Sequence, residues 1–266
     1  MTTVQKAIKY LAIAFAVFLI ASIFSGIFGI LGSLGMFFGE KNPSVEMNTH
    51  FVLSDIESLK VDIPAADFEI YKGESFKVHS NCEDFIIEEK NGILSVRGKN
   101  GFFKNYNNVE VKIEVPSGFV FKKADIATGA GRVNIDELRT EILELNLGAG
   151  EAEIGSIYSS VKTKIESGVG KIVISGGEMR DLDFSMGVGK VVLKSRLLGE
   201  CDLDGGIGSA NITLFGKQED YEIEFESGVG QIRFDGEVVK GHQTFGNGQT
   251  DIDIDSGIGE IVVTIE

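Results

Sequence analysis

The chain contains no tryptophan and has only two cysteines, three histidines and three prolines among its 266 residues. The two cysteines, Cys82 and Cys201, are too few for a disulfide-stapled scaffold. His50, His79 and His242 lie in different segments, and none has a serine, cysteine or carboxylate nearby in a nucleophile pattern. No spacing typical of a metal site is present either. We therefore expect a protein that is not an enzyme.

Basic residues are also scarce, with 25 lysines and arginines against 40 aspartates and glutamates, and the net charge is −15. Lys6 and Lys9 are the only charged residues before Glu40, so the remainder of the chain carries −17. Such a surface repels nucleic acid and anionic lipid headgroups. DNA and RNA are therefore excluded as partners.

One long segment near the start has no charge at all. Residues 11–38 form a run of 28 mostly apolar residues, and a helix of that length exceeds the ~30 Å hydrocarbon core of a membrane. A cleaved signal peptide has a shorter apolar core and a small-x-small cleavage site. We therefore predict an uncleaved single-pass anchor in the cell membrane. Because Lys6 and Lys9 precede the span, we expect a cytoplasmic N-terminus and an extracytoplasmic C-terminal domain.

Glycine is abundant, and Gly-x-Gly occurs eight times between Gly129 and Gly259. The first five copies recur every 19 or 20 residues, which indicates one repeated supersecondary unit. The motif lacks the third glycine and the following helical pattern of a dinucleotide site, so we exclude a nucleotide ligand. The pairs begin at Gly129, Gly148, Gly168, Gly187, Gly206, Gly228, Gly246 and Gly257.

Apolar residues alternate around each glycine pair, and the alternation slips by one residue across it. Before Gly168 the predicted inward series is Val161, Thr163 and Ile165, and it resumes afterwards at Ile172. Since strand side chains alternate between faces, the slip requires a corner, for which glycine supplies the backbone conformations. We therefore predict an all-β fold, a parallel β-helix or β-solenoid with rungs of 19–20 residues. Its return segment is marked by Leu138, Ile157, Met179 and Leu198. The predicted corner glycines are Gly129, Gly131, Gly148, Gly150, Gly168, Gly170, Gly187, Gly189, Gly206, Gly208, Gly228, Gly230, Gly257 and Gly259.

The segment before the repeats is rich in strands but less regular. Residues 64–67, Pro-Ala-Ala-Asp, stand where later rungs have their glycine corner, which indicates a degenerate first rung. Asn91-Gly92 between apolar runs predicts a hairpin, and a cap of this kind covers the end of a repeat stack. The predicted domains are 1–39 (cytoplasmic N-terminus and transmembrane anchor), 40–50 (linker), 51–128 (β cap and first rungs) and 129–266 (solenoid repeats).

A polar, turn-rich loop inside the cap carries three aromatic residues, Phe102, Phe103 and Tyr106. Exposed aromatic side chains in a loop are suited to contact a glycan, a protein partner or a lipid surface. The alternative is that these side chains fold back onto the cap. We keep the loop as a candidate contact site.

Three stretches together form a specific signature: LKVDIPAAD at residues 59–67, VKIEVPSG at 111–118, and the serial Ser-Gly-Val-Gly corners. With them, over about residues 50–266, the chain resembles the bacterial putative-adhesin family of β-solenoid domains, a domain of unknown function. The resemblance implies a right-handed parallel β-helix or roll at the cell surface. It also implies that family members often carry a membrane anchor, that some are encoded among envelope-stress or signalling genes, and that the family has no catalytic residues.

Acidic residues occupy the outward positions of the later rungs. If these strands stack in register, eleven carboxylates form one face with neighbours about 5 Å apart. Like charges opposite one another destabilise a sheet, so either water and monovalent salt or a divalent cation must offset them. Ca²⁺ accepts several carboxylates, but the full calcium-binding β-roll pattern is missing. A solvated face and a face that binds Ca²⁺ or a cationic partner therefore both remain open. The residues concerned are Asp181, Asp183, Glu200, Asp202, Asp204, Glu222, Glu224, Glu226, Asp251, Asp253 and Asp255.

These features predict a membrane-anchored, extracytoplasmic β-solenoid that acts as a non-catalytic binding, adhesion or scaffold module at the cell envelope. The expected partners are the membrane, through the N-terminal helix, and an envelope protein or polysaccharide, with no cofactor unless the acidic face binds Ca²⁺. The alternative is a regulatory or sensory subunit of an envelope-stress signalling system that acts through its transmembrane helix. A third hypothesis, an enzyme acting on polysaccharide, requires a carboxylate pair in a cleft, which the sequence does not indicate.

Overall fold

The computed structural model of the chain describes residues 47–51, 56–99 and 108–266. In this part the chain forms nineteen strands and a short 3-10 turn, Gln218–Asp220. No helix among these residues is long and apolar enough to cross a membrane. The predicted anchor and the loop with Phe102, Phe103 and Tyr106 lie outside the described residues.

The strands fall into a group before the glycine repeats and a group within them. The first group is β1 (Asn48–Phe51), β2 (Ser58–Ala65), β3 (Asp67–Gly73), β4 (Lys77–Ser80), β5 (Phe85–Lys90), β6 (Ile93–Gly98) and β7 (Glu110–Pro116). The second group is β8 (Phe121–Ile174), β9 (Gly177–Arg180), β10 (Leu182–Ser185), β11 (Val188–Leu198), β12 (Glu200–Asp204), β13 (Ile207–Leu214), β14 (Tyr221–Ser227), β15 (Gln231–Phe234), β16 (Glu237–Val239), β17 (Gln243–Gly246), β18 (Thr250–Ser256) and β19 (Ile258–Ile265).

Successive coils of the chain stack in parallel and in register. Val188, between the two glycines of its corner, lies opposite Val169 on one side and Ile207 on the other. The long strand β8 is one run of extended chain that passes through the same corner three times, with Gly148 stacked on Gly129 and Gly168 stacked on Gly148. The predicted β-solenoid with Gly-x-Gly corners is therefore confirmed.

The close approach of neighbouring coils explains why glycine recurs at each corner. Gly189 has a φ of +143°, and a Cβ atom there would overlap the carbonyl oxygen of Gly170 in the adjacent coil. L-residues rarely adopt such a φ. In the degenerate first rung, Ala65 lies opposite Ala130, so the Pro-Ala-Ala segment occupies the corner position as predicted.

The inward series is buried as expected, with two exceptions. Val161 was predicted to point inward, but it is 48% exposed, because the pairing of this strand with β10 begins only at Thr163. The return segment buries Leu197 where Leu198 was predicted. Leu197 is the residue that lies opposite the buried Met179, and this pairing turns Leu198 toward the outer side.

The coils do not follow chain order at either end of the stack. Strands β18 and β19 lie between the coil of β12 and β13 and the coil of β14 and β15. Likewise β2 and β3 lie between the coil of β6 and β7 and the first turn of β8. Position along the chain therefore does not give the order of the outermost coils. Gly246 is not a corner glycine, since it lies in β17 opposite Glu222.

Antiparallel strands cover both ends of the stack. At one end β17 pairs with β14 and β16 pairs with β15. At the other end β5 pairs with β6 through the predicted Asn91-Gly92 turn, and β4 pairs with β7 and β1. At the first of these ends, the rings of Phe225, Phe234 and Phe245 pack with centroids 4.9 to 5.7 Å apart. These caps remove the open parallel edges that would otherwise invite aggregation.

Candidate binding surface

Three adjacent parallel strands carry the outward acidic residues of the later coils. Strand β18 lies in the middle, with β12 on one side and β14 on the other, and all three are in register. Neighbouring carboxylates across the strands are therefore separated by about one strand spacing of ~4.8 Å. The nine residues, called the carboxylate array below, form three rows: Glu200, Asp251 and Glu222; Asp202, Asp253 and Glu224; Asp204, Asp255 and Glu226.

The array differs from the predicted acidic face in two respects. The aspartates of β18 occupy its centre, because β18 is inserted between strands that precede it in the chain. Asp183 extends one row, opposite Asp202, but Asp181 does not contribute to the face. Asp181 has a φ of +45° and its Oδ1 accepts a hydrogen bond of 3.1 Å from the backbone N–H of Glu200. It therefore stabilises the turn before β12.

Few positive groups compensate the array. His242 Nε2 lies 3.4 Å from Glu224 Oε1 at one edge. At the other edge, Lys164 lies opposite Asp183 in the neighbouring strand, but its ammonium group forms a 2.7 Å ion pair with Glu166. The effect of this uncompensated charge is seen at two aspartates of the central strand, Asp253 and Asp255.

Burial raises the pKa of Asp253, and the nearby Glu224 and Asp202 raise it further. The pKa of Asp255 is also raised, first by burial and then by Glu226 and Asp204. Asp253 and Asp255 combine partial burial with carboxylate neighbours on both sides, and both effects disfavour the charged form.

A high density of carboxylates does not by itself make a metal site. Among residues 47–51, 56–99 and 108–266, no three His, Cys, Asp or Glu side chains converge so that they could hold a metal ion. The carboxylates of the array lie side by side on an open sheet face, whereas a calcium site gathers six to eight oxygens around one point. Calcium binding at this face stays a prediction.

Two cavities among the described residues are small. One of about 20 Å³ lies behind the corners, between Leu147 and Met186, and a second of about 20 Å³ lies beside Ala210. Each has room for about one water molecule. Neither is lined by two carboxylates, which a glycosidase needs as its acid and base. Cys201 is also part of the core, and burial raises the pKa of its thiol to about 11, so the thiol is not a nucleophile at neutral pH.

Sequence analysis missed one buried ion pair in the cap. Glu114 accepts hydrogen bonds of 3.0 and 2.9 Å from Lys77 Nζ and also from the backbone N–H groups of Glu74 and Ser75. These donors, Lys77 above all, lower the pKa of Glu114 against the opposing effect of burial. The alternation of residues 111–115 indicates an outward residue, and only the turn that folds over it makes it buried.

A family model described as Toastrack DUF4097 matches residues 33–264, which include nearly all the described strands. No protein in the curated comparison matches the chain.

Solved structures with similar chains include a putative adhesin from Bacteroides fragilis, 13% identical, with a TM-score of 0.45 over 84% of this chain and 100% of that one. A putative adhesin from Parabacteroides merdae is 15% identical, with a TM-score of 0.39 over 85% and 97%. A putative cell adhesion protein from Clostridium sporogenes is 17% identical, with a TM-score of 0.33 over 83% and 99%.

Proposed function

The chain belongs to the Toastrack family, DUF4097, and from this premise we propose that it is a non-catalytic binding or scaffold module of the cell envelope. In this proposal residues 1–39 hold the domain at the membrane as a single-pass anchor, and the stack of coils presents its faces outside the cell. The observation that carries the proposal is the combination of in-register sheet faces that extend over several coils with cavities of only about 20 Å³. Extended faces suit a macromolecular partner, whereas small-molecule sites are concave and enclose their ligand.

The carboxylate array is the part of this surface with the most distinct chemistry. Nine outward carboxylates with one histidine contact at the edge create a strongly negative field, which attracts cationic partners from a distance and weakens as salt is added. We infer that the partner presents a positive surface there. The partner is an envelope protein or a polymer that carries amino groups.

The array and the first described strand belong to opposite ends of the coil order. Strand β1 belongs to the cap formed with β4 and β7, whereas the array lies next to β17.

The experiment that tests this function is crosslinking in cells with the full-length tagged chain, followed by identification of the co-purified molecules. One matched variant exchanges residues 1–39 for an unrelated single-pass anchor. A second variant carries Asp202→Asn, Asp253→Asn and Glu224→Gln, which neutralises one row of the array. We expect the same partner with the exchanged anchor and a weaker, less salt-sensitive capture with the neutralised row. A membrane signalling protein that is lost when the anchor is exchanged would overturn the proposal and favour a regulatory subunit.

A further inference from the structure

The coil formed by β14 and β15 is the outermost coil at one end of the stack. Its parallel contacts are all with one neighbouring coil, β14 with β18 and β15 with β19. Its other edges are covered by β16, which follows β15 through the turn at residues 235–236, and by β17, which follows β16, and both pair antiparallel. The whole segment from Tyr221 to Gly246, called the terminal unit below, is therefore joined to the stack across a single boundary.

That boundary brings like charges directly opposite one another. Glu222, Glu224 and Glu226 of β14 face the three aspartates of β18 in register, Asp251, Asp253 and Asp255. Behind β18, strand β12 adds Glu200, Asp202 and Asp204, and β10 adds Asp183 opposite Asp202. From the side of β17, Thr244 faces Glu224 and His242 contacts it. No lysine or arginine of the described residues forms an ion pair with the array.

The corner of the terminal unit is also looser than the other corners. In the adjacent coil, Gly259 has the left-handed φ of +142° that recurs along the stack, but the corresponding Gly230 does not adopt it. Val229, between the two glycines of this corner, is 83% exposed. The backbone N–H of Val229 still donates to Gly257, at 3.2 Å. The backbone N–H of Gly228 also donates to the carbonyl and hydroxyl oxygens of Ser256. This corner is therefore held by one neighbouring coil, whereas the inner corners are held by coils on both sides.

Apolar packing opposes the repulsion. Phe225, Phe234 and Phe245 pack against one another at the end of the stack, and Ile223 and Phe225 are buried beneath the array. Apolar contacts and the parallel backbone pairing of β14 with β18 and of β15 with β19 thus close the boundary. Repulsion between like charges opposes closure, and it is this repulsion that depends on pH and salt.

We propose that the terminal unit opens and closes as one piece at the boundary between β14 and β18, and that repulsion within the carboxylate array sets how often it is open. Salt and acid both favour the closed state. Opening exposes the backbone edge of β18 and β19, which a strand of a binding partner can occupy by edge addition. The device lies at the same end of the stack as the proposed binding surface, but its test does not depend on that proposal.

The direction of the pH effect follows from the central aspartates. The pKa values of Asp253 and Asp255 are raised in the folded state, so protonation occurs more readily in the closed unit than in an open or unfolded one. The closed state therefore gains stability as the pH falls toward the raised values, and it loses that gain as the pH rises through them.

Trypsin cleavage after Arg233 reports the opening. Arg233 lies in β15 and is half-buried, with an ion pair of 3.1 Å to Glu260 in the neighbouring coil. Lys190, in β11 with coils on both sides, serves as an internal reference for global unfolding. The full chain in a mild detergent is digested at low salt and at about 0.5 M NaCl, and rates are normalised to an unstructured peptide substrate in the same buffer.

We expect salt to slow cleavage after Arg233 but not after Lys190. Screening of the Arg233–Glu260 ion pair would act in the opposite direction, so slower cleavage cannot come from that pair. Asp253→Asn removes the central charge with little change in shape, and it should slow cleavage after Arg233 about two- to five-fold at low salt. Asp62→Asn, an outward carboxylate of β2 at the other end of the stack, is the matched control and should change nothing.

Two results would overturn the proposal. One is cleavage after Arg233 that is indifferent to salt and to Asp253→Asn. The other is cleavage after Arg233 and Lys190 that always changes in parallel, because that pattern indicates global unfolding. The salt series on the unaltered chain keeps the test decisive even if the variant folds poorly.

Discussion

Replacement of Gly189 by alanine isolates what the corner glycines contribute to stability. With a φ of +143° at Gly189, the backbone conformation alone costs an alanine about 1–3 kcal/mol. Its Cβ would also overlap the carbonyl oxygen of Gly170, and because both atoms belong to backbone, relief requires the local pairing of β11 with β8 to open. Each backbone hydrogen bond lost in this way costs about 1 kcal/mol. We therefore expect Gly189→Ala to lower the free energy of unfolding by about 3–5 kcal/mol.

Gly118 provides the matched control, because it also has a positive φ, +77°, but no heavy atom lies within 4 Å of its hypothetical Cβ. Gly118→Ala should lower the free energy of unfolding only by the cost of placing alanine at a positive φ, about 1–2 kcal/mol. Thermal unfolding followed by circular dichroism measures both, and at about 2–4 °C per kcal/mol the centres of these two ranges correspond to Tm values that differ by about 5–10 °C. Equal losses would refute the argument that the neighbouring coil, and not the backbone angle alone, requires glycine.

Three further outcomes follow from the described contacts. Glu114→Gln should destabilise the fold by about 2–3 kcal/mol at neutral pH, because it removes the buried carboxylate that accepts hydrogen bonds from the half-buried Lys77 and from two backbone N–H groups. Since folding lowers the pKa of Glu114, its contribution is present above the ordinary carboxyl range and is lost as the pH falls through the lowered value, so melting curves of variant and parent should converge in acid. Ala210→Val should stabilise by about 1 kcal/mol in urea unfolding, because the two residues opposite Ala210, Val191 and Ile261, are larger and a cavity of about 20 Å³ lies beside it. Millimolar Ca²⁺ should raise the Tm if the carboxylate array binds it, and an unchanged Tm would remove that hypothesis.

The corner pattern could be predicted from sequence because its physical cause is local and repeated. In the coils with Gly-x-Gly corners, the second glycine lies where the carbonyl of the neighbouring coil approaches, as Gly170 and Gly189 show. The parity slip across each pair follows from the same geometry, since the chain changes from one face of the coil to the next there. Both constraints recur from corner to corner, 19 or 20 residues apart over the first five, so a repeated pattern in the sequence exposes them.

The order of the coils at the ends could not be predicted, because the competing strands have interchangeable patterns. Strand β14 alternates Glu with Ile223 and Phe225, and β18 alternates Asp with Ile252 and Ile254. Either strand can bury its apolar residues against β12 and turn its carboxylates outward. Periodicity thus determines which residues point inward, but it does not determine which coil is the neighbour.

The candidate site was likewise predictable in part. The alternation of apolar and acidic residues predicts that the outward carboxylates stack in rows. It does not predict which carboxylates are central, because that depends on the position of β18. The buried state of Glu114 was likewise invisible, since the turn at residues 73–75 that covers it carries no hydrophobic pattern of its own. In both cases the missing information concerns contacts between segments distant in sequence.

The arrangement at the ends has a mechanical consequence for the stack. The outermost coil on the array side, β14 with β15, is connected at one end to β13 through residues 215–220 and at the other to β18 through residues 235–249. Both connected strands lie deeper in the stack, so this coil cannot peel away from one end like a terminal repeat. It can only move as a unit, hinged at two points. The insertion that secures the coil against unravelling also places Asp253 opposite Glu224 and Asp202, so a concerted, charge-dependent opening replaces gradual fraying at this end.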